Sequence, residues 1–134
     1  MRASQFIVEG PQENANVVEM FKKFLPLAVE ILKLNSLPKM EFVAKVDDTE
    51  QPTFGLYSTG DKVLKVALTS RHPNDILRTV AHELTHYKQD INNELNNDSG
   101  ETGSNEENEA NATAGIIMRH FNKQYPEYLK SKPL

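Results

Sequence analysis

The residues best suited to chemistry are His82-Glu83-Leu84-Thr85-His86, an HExxH run inside a segment, 73–92, whose apolar spacing predicts a helix. At i and i+4 on a helix the two imidazoles stand about 40° apart on one face, so both can reach one metal ion. Glu83 lies about 100° round from His82, beside such a metal, placed to take a proton from a water held there. Neutral imidazoles and a carboxylate suit tetrahedral zinc with one open position. Average residue frequencies put an accidental HExxH in a chain this long at roughly one in a few hundred. The helical wheel agrees with the chemical reading. Ile76, Leu77, Val80, Ala81, Leu84, Tyr87 and Ile91 form its apolar arc, whereas Asp75, Thr79, His82, His86 and Asp90 share the opposite one.

Such a site needs a third protein ligand. The metzincin extension requires Gly and His where this chain has Gln89 and Asn92, which excludes that class. Glu106-Glu107-Asn108-Glu109-Ala110-Asn111 opens a second expected helix, 104–123, whose buried arc is Ala110, Ala114, Ile117, Met118 and Phe121. Glu107 and Asn111 lie within or next to that arc. An inward carboxylate is costly unless paired or bound to a cation, so Glu107 is a candidate ligand and Asn111 a candidate partner to a ligand histidine. Three alternatives stand beside it. Ser104-x-x-Glu107 is also a capping box, in which Glu107 binds no metal; Glu106 lies close to the same arc; and His120, about 140° from Glu107, is a weaker third candidate. His72, just before Pro73, reads as a helix-entry residue.

The elements that must hold these residues follow from pattern. Residues 12–34 read as a helix with Glu19, Lys22, Lys23, Glu30 and Lys33 on one arc, Val17, Phe21, Phe24, Ala28, Ile31 and Leu32 as core, and Pro26 as a kink. Residues 40–46, 53–58 and 62–69 read as three short strands, rich in β-branched and aromatic residues and separated by Asp47, Asp48, Pro52, Gly60 and Asp61. Seven of the twelve asparagines fall within 92–111, which predicts a loop as far as about Ser104. The order helix, small sheet, helix, loop, helix is an α+β layout.

Composition bounds the rest. The 134 residues make one domain. The absence of cysteine excludes disulfides, thiolate zinc sites and a cysteine nucleophile, so any zinc site falls to histidine and carboxylate, the donor set of an open, catalytic site. A net charge of −4 without a basic run argues against nucleic acid as a partner, and no apolar stretch is long enough to span a membrane.

With these residues in view, the sequence resembles gluzincin metallopeptidases, in which HExxH is followed by a helix bearing a glutamate ligand. The stretch Glu107-Asn108-Glu109-Ala110-Asn111, continuing to Met118, is most similar to the ExEANxxAxxLLM pattern of the ImmA/IrrE-type peptidases. The resemblance covers about residues 40–121, its specific part being two short blocks. It implies a minimal zincin-like domain with a three-stranded sheet, zinc held by His82, His86 and Glu107, Glu83 as general base, Asn111 orienting His82, and endopeptidase activity. It also implies that strand 62–69 is an edge strand that pairs with a peptide or protein substrate. The chain departs from the larger gluzincins in having no second subdomain and a more polar loop after His86. Tyr57, Tyr87, His120 and Tyr125 are the candidates for the group that stabilises the oxyanion. The alternative is a zinc-binding, non-catalytic module.

A second resemblance concerns Gln5-Phe6-Ile7-Val8-Glu9-Gly10, which is similar to the capsid-targeting leaders of T-even-like phage head proteins. It implies a removable leader, residues 1–9, cut between Glu9 and Gly10, with 10–134 as the mature domain. Its implied setting is the cytoplasm of a bacterial host and the inside of a phage head, among phage head components.

Overall fold

Alternation along short strands builds the sheet. In the computed structural model, which describes residues 6–8, 13–46, 54–95, 104–131 and 133, β2 (Lys39–Val43) and β4 (Val63–Ala67) run parallel with Met40 opposite Leu64 and Phe42 opposite Val66. These four side chains are fully buried on one face. Glu41, opposite Lys65 on the other face, takes Lys39 at 3.3 Å and Lys65 at 4.0 Å. β3 (Gly55–Ser58) lies antiparallel along β4, and β1 (Phe6–Val8) lies parallel along β2, giving the order β1-β2-β4-β3.

Two expectations change here. The sheet has a fourth strand, because Phe6–Val8, read as part of a leader, pairs with β2; the expected cut between Glu9 and Gly10 lies outside the described residues. Strand 62–69 is not an edge: β4 is hydrogen-bonded to β2 on one side and β3 on the other, so its backbone cannot accept a peptide. The edge is β3. Chain order misleads because β3, although it comes between β2 and β4, runs outside them. The richer burial of β4, with Leu64, Val66 and Ala67 all buried, is the signature of a central strand.

Three helices lie among the described residues: α1 (Glu13–Leu32), α2 (Pro73–Ile91) and α3 (Asn105–Gln124). α1 runs through Pro26 and ends where Lys33 turns to φ 56°, with Lys33 N–H donating to Glu30 and Leu34 N–H to Val29. Its aromatic stripe ties the layers together: Phe21 meets Phe42 of the sheet edge-on at 5.2 Å, and Phe24 meets Phe121 of α3 at 5.9 Å. Ile76, Leu77, Val80, Ala81 and Leu84 of α2 complete one continuous core. Tyr128, in the short 3₁₀ helix Pro126–Lys130, stacks on Phe121 and accepts a hydrogen bond from Lys23 of α1. The result is a small α+β domain. No described helix is long and apolar enough to cross a membrane.

Candidate metal centre

α2 has firm ends. His72 caps its start, Nδ1 accepting from the Asn74 N–H at 3.0 Å with Pro73 in the first turn, as expected of a helix-entry residue. Asn93, at φ 58°, closes its end, with Asn93 N–H on Asp90 and Glu94 N–H on Gln89. α3 begins at Asn105 behind its cap Ser104, whose hydroxyl accepts the Glu107 N–H at 3.1 Å. The two helices pack antiparallel. Asn74 near the start of α2 bonds Asn122 near the end of α3 at 2.6 Å, while His86 and Gln89 meet the first turns of α3.

That packing closes the site. Glu107 places Oε1 3.0 Å from His82 Nε2 and Oε2 2.9 Å from His86 Nε2, and the two Nε2 atoms stand 3.2 Å apart. Ligand atoms of the three residues all lie within 4.8 Å of one another, so His82, His86 and Glu107 form a group that could hold a metal ion. The Ser104 cap and this arrangement coexist, because the cap uses the Glu107 backbone and the histidines use its carboxylate. Glu106 meets α2 through its backbone, its carbonyl accepting from Gln89 at 2.9 Å.

The donor set fits a cation. Gln89, 1% exposed, turns Oε1 to His86 Nδ1 at 2.7 Å while its Nε2 donates to the Glu106 carbonyl and to Glu109 Oε1 at 2.8 Å. Both amide hydrogens are thereby engaged, so Oε1 is an acceptor and His86 Nδ1 carries the proton. His86 Nε2 points at a carboxylate oxygen 2.9 Å away. Two acceptors at that separation are reconciled by a proton or a cation between them. Burial lowers the pKa of His82, its neighbour His86 adds to that effect, and Glu107 and a side-chain hydrogen bond to Asn111 oppose it. The net direction favours the neutral imidazole that ligates metals.

Glu83 stands apart from this cluster. It is 8% exposed, and burial pushes its carboxyl up from 4.5 to about 7, with His86 opposing and Glu107 adding to the rise. It lines a cavity of about 360 Å³ together with His82, Gly55, Thr79 and Asn111. Gly55 allows β3 to approach α2 this closely: a Cβ there would run into Thr79 Cγ2 and stand 3.1 Å from Glu83 Oε2. Arg71 holds the start of β3 against α2 through the Phe54 and Ala67 carbonyls on one side and the Asp75 carbonyl and Thr79 hydroxyl on the other.

The oxyanion candidates fall elsewhere. Tyr57 donates to Asp90 Oδ2 at 2.6 Å, and Tyr87 is buried with its hydroxyl 2.6 Å from Ser36. Tyr125 packs on Phe121 and Tyr128, and His120 is exposed on α3. None of the four lines the cavity. Sequence reasoning missed the roles of Gln89, Gly55 and Arg71. Gln89 left a readable signal, a polar residue at i+3 from His86 on the same helix face. The other two act across elements and left none. No family model, no curated protein and no solved structure matches this chain.

Proposed function

We propose that this chain is a zinc-dependent endopeptidase of the gluzincin kind, similar to the ImmA/IrrE peptidases. The observation that carries the reading is the convergence of His82, His86 and Glu107 into one ligand group, with His82 and the buried Glu83 lining the cavity beside the edge strand β3. His82 Nε2, His86 Nε2 and the Glu107 carboxylate would hold the ion, with Asn111 and Gln89 orienting the two imidazoles. When bound, zinc supplies a Lewis acid that polarises the peptide carbonyl and acidifies water. Glu83 takes the proton of the attacking water as its oxygen bonds the carbonyl carbon, then delivers that proton to the amine nitrogen, on which the peptide C–N bond breaks.

The substrate strand is assigned to β3 in place of 62–69. Ala67 N–H bonds the Phe54 carbonyl, and antiparallel ladders alternate, so Gly55 and Tyr57 turn their backbone groups to the free edge. An extended peptide added there would run past Glu83.

The test is metal content and turnover together. One equivalent of zinc co-purifies, cleavage of a broad peptide library is seen, and Glu83→Gln keeps the zinc while losing the cleavage. Protein never exposed to chelator that carries no zinc overturns the site. One observation favours a second reading, a zinc-holding module without turnover: none of the four oxyanion candidates lines the cavity. Under it, zinc is bound and the library stays intact. A protein packaged in a phage head, as the N-terminal resemblance implies, is a setting for either reading.

A further inference from the structure

Two arginines border the cavity region, and their situations differ. Arg71 is bound into the framework, bonded to three carbonyls and a hydroxyl and stacked 4.5 Å over the Phe54 ring. Arg78 lines the cavity rim, is exposed, and among the described residues has no hydrogen bond or ion pair. It stands one turn before His82 on the same helix face, about 6 Å along the axis. Its guanidinium reaches across to α3, where Nη1 lies 4.0 Å from the Cβ position of Gly115, which leaves that approach open.

An unpaired guanidinium at the mouth of a cavity is a receptor for a carboxylate, which it takes in a bidentate grip. Within the cavity lining Glu83 is the one carboxyl and Arg78 the one cation, so an acidic group is disfavoured beside Glu83 and favoured beside Arg78. An extended peptide advances about 3.3 Å per residue. A chain running along β3 past Glu83 therefore brings a side chain within two residues of the scissile bond to Arg78.

We infer that Arg78 is a specificity-determining residue that selects substrates carrying a carboxylate, in the form of an Asp or Glu side chain, within two residues of the cleaved bond. The inference rests on the peptidase reading for its substrate and on the Arg78 rim for its selectivity, and the two fail separately. Failure of the peptidase reading shows as the absence of Glu83-dependent cleavage. Failure of the inference shows in the sequences chosen.

The experiment uses the zinc-loaded full chain on a peptide library with mass-spectrometric mapping of cut sites. It is followed by matched peptides carrying Glu or Gln at the selected position, each as the free C-terminal acid and as the amide. Glu over Gln is expected to raise kcat/KM about 10- to 100-fold, the range for one hydrogen-bonded charged pair. Arg78→Gln brings that ratio to about one, Arg78→Lys restores part of it, and Arg78→Glu turns the preference to Lys and Arg. Zinc content of each variant checks that the site is intact. A preference for free acid over amide that vanishes in Arg78→Gln keeps the carboxylate chemistry and assigns its source to the peptide terminus. Absence of any carboxylate preference, or an equal preference in Arg78→Gln, overturns the inference. Should no peptide be cut, binding of the same Glu and Gln peptides to zinc-loaded Glu83→Gln protein decides it, equal affinities overturning the inference.

Discussion

Glu83 and Asp90 stand two turns apart on nearly the same side of α2, yet their surroundings drive their carboxyls in opposite directions. Around Asp90, burial alone would raise the pKa, but the Tyr57 hydroxyl at 2.6 Å and the Lys62 ammonium at 2.9 Å outweigh it and hold the carboxyl below its ordinary value. The same contact, after burial, pushes the Tyr57 phenol above its usual range, so it stays protonated as the donor. Around Glu83 burial is stronger and the nearest charges are divided, so the carboxyl rises to about 7. The Asp90 region is closed, its acceptor matched by donors. The Glu83 region is open to a cavity, and beside it His86 Nε2 and a Glu107 carboxylate oxygen stand 2.9 Å apart. One helix thus carries a structural carboxylate and a chemically poised one, and the difference lies in what the neighbouring elements bring to each.

The comparison can be broken at several strengths. The largest effect expected is on turnover: Glu83→Gln lowers kcat by about 10²–10⁴, the usual worth of a general base, with zinc retained. Asp90→Asn leaves kcat within a few-fold of wild type. Measured kinetics that reverse this order would assign the proton transfer elsewhere.

Next comes stability of the metal-free protein. The folded Glu83 carboxyl titrates at about 7 against an ordinary 4.5, so the native chain holds the proton more tightly than the unfolded one. Its stability falls as pH climbs through that window and levels off above it. Gln has no proton to lose. Glu83→Gln should therefore match the wild type below about pH 4.5 and exceed it by up to roughly 3 kcal/mol at pH 8, read by urea unfolding in chelator. A mutant no more stable at pH 8 than at pH 4.5, relative to wild type, would show that the buried carboxylate carries no cost.

Smaller still is the effect of Gln89. Gln89→Ala releases His86 Nδ1 and two acceptors on α3, and zinc affinity is expected to drop about 10- to 100-fold, measured by competition with a chromogenic chelator. Unchanged affinity would remove Gln89 from any role in setting the imidazole. The smallest effect belongs to Asp90 itself. Its folded pKa lies below the unfolded one, so its contribution is present at neutral pH and lost as pH falls through the folded value. Because Asp90 is near the surface, Asp90→Asn should cost no more than about 1 kcal/mol at pH 7.

Much of the candidate site was legible in the chain. The spacing His82-x-x-x-His86 places two imidazoles on one polar helix face, and the cost of turning a carboxylate inward makes Glu107 a candidate for the third member. Helix and strand positions agree closely, from α1 at Glu13–Leu32 to α3 at Asn105–Gln124. Apolar periodicity is a local property and reads directly. The sheet order was not legible. The family resemblance implied an edge at 62–69, which the sheet order contradicts, and Phe6–Val8 carried no sign of pairing with β2. Strand order depends on which segments meet after long excursions of chain, and three residues of β-prone sequence do not encode a partner.

The sequence alone determined the chemistry available: without cysteine, any zinc site had to come from histidine and carboxylate, and helical spacing put two of its members together. Only the tertiary structure decided which glutamate completes the group, which amide meets the imidazole, which edge strand lies beside the cavity and which arginine lines it. The physical reason is range. A helix sets the relation of residues three and four apart by its own backbone geometry, whereas the antiparallel packing of α2 on α3 and the closeness of Gly55 to Thr79 arise from a core assembled across the whole chain.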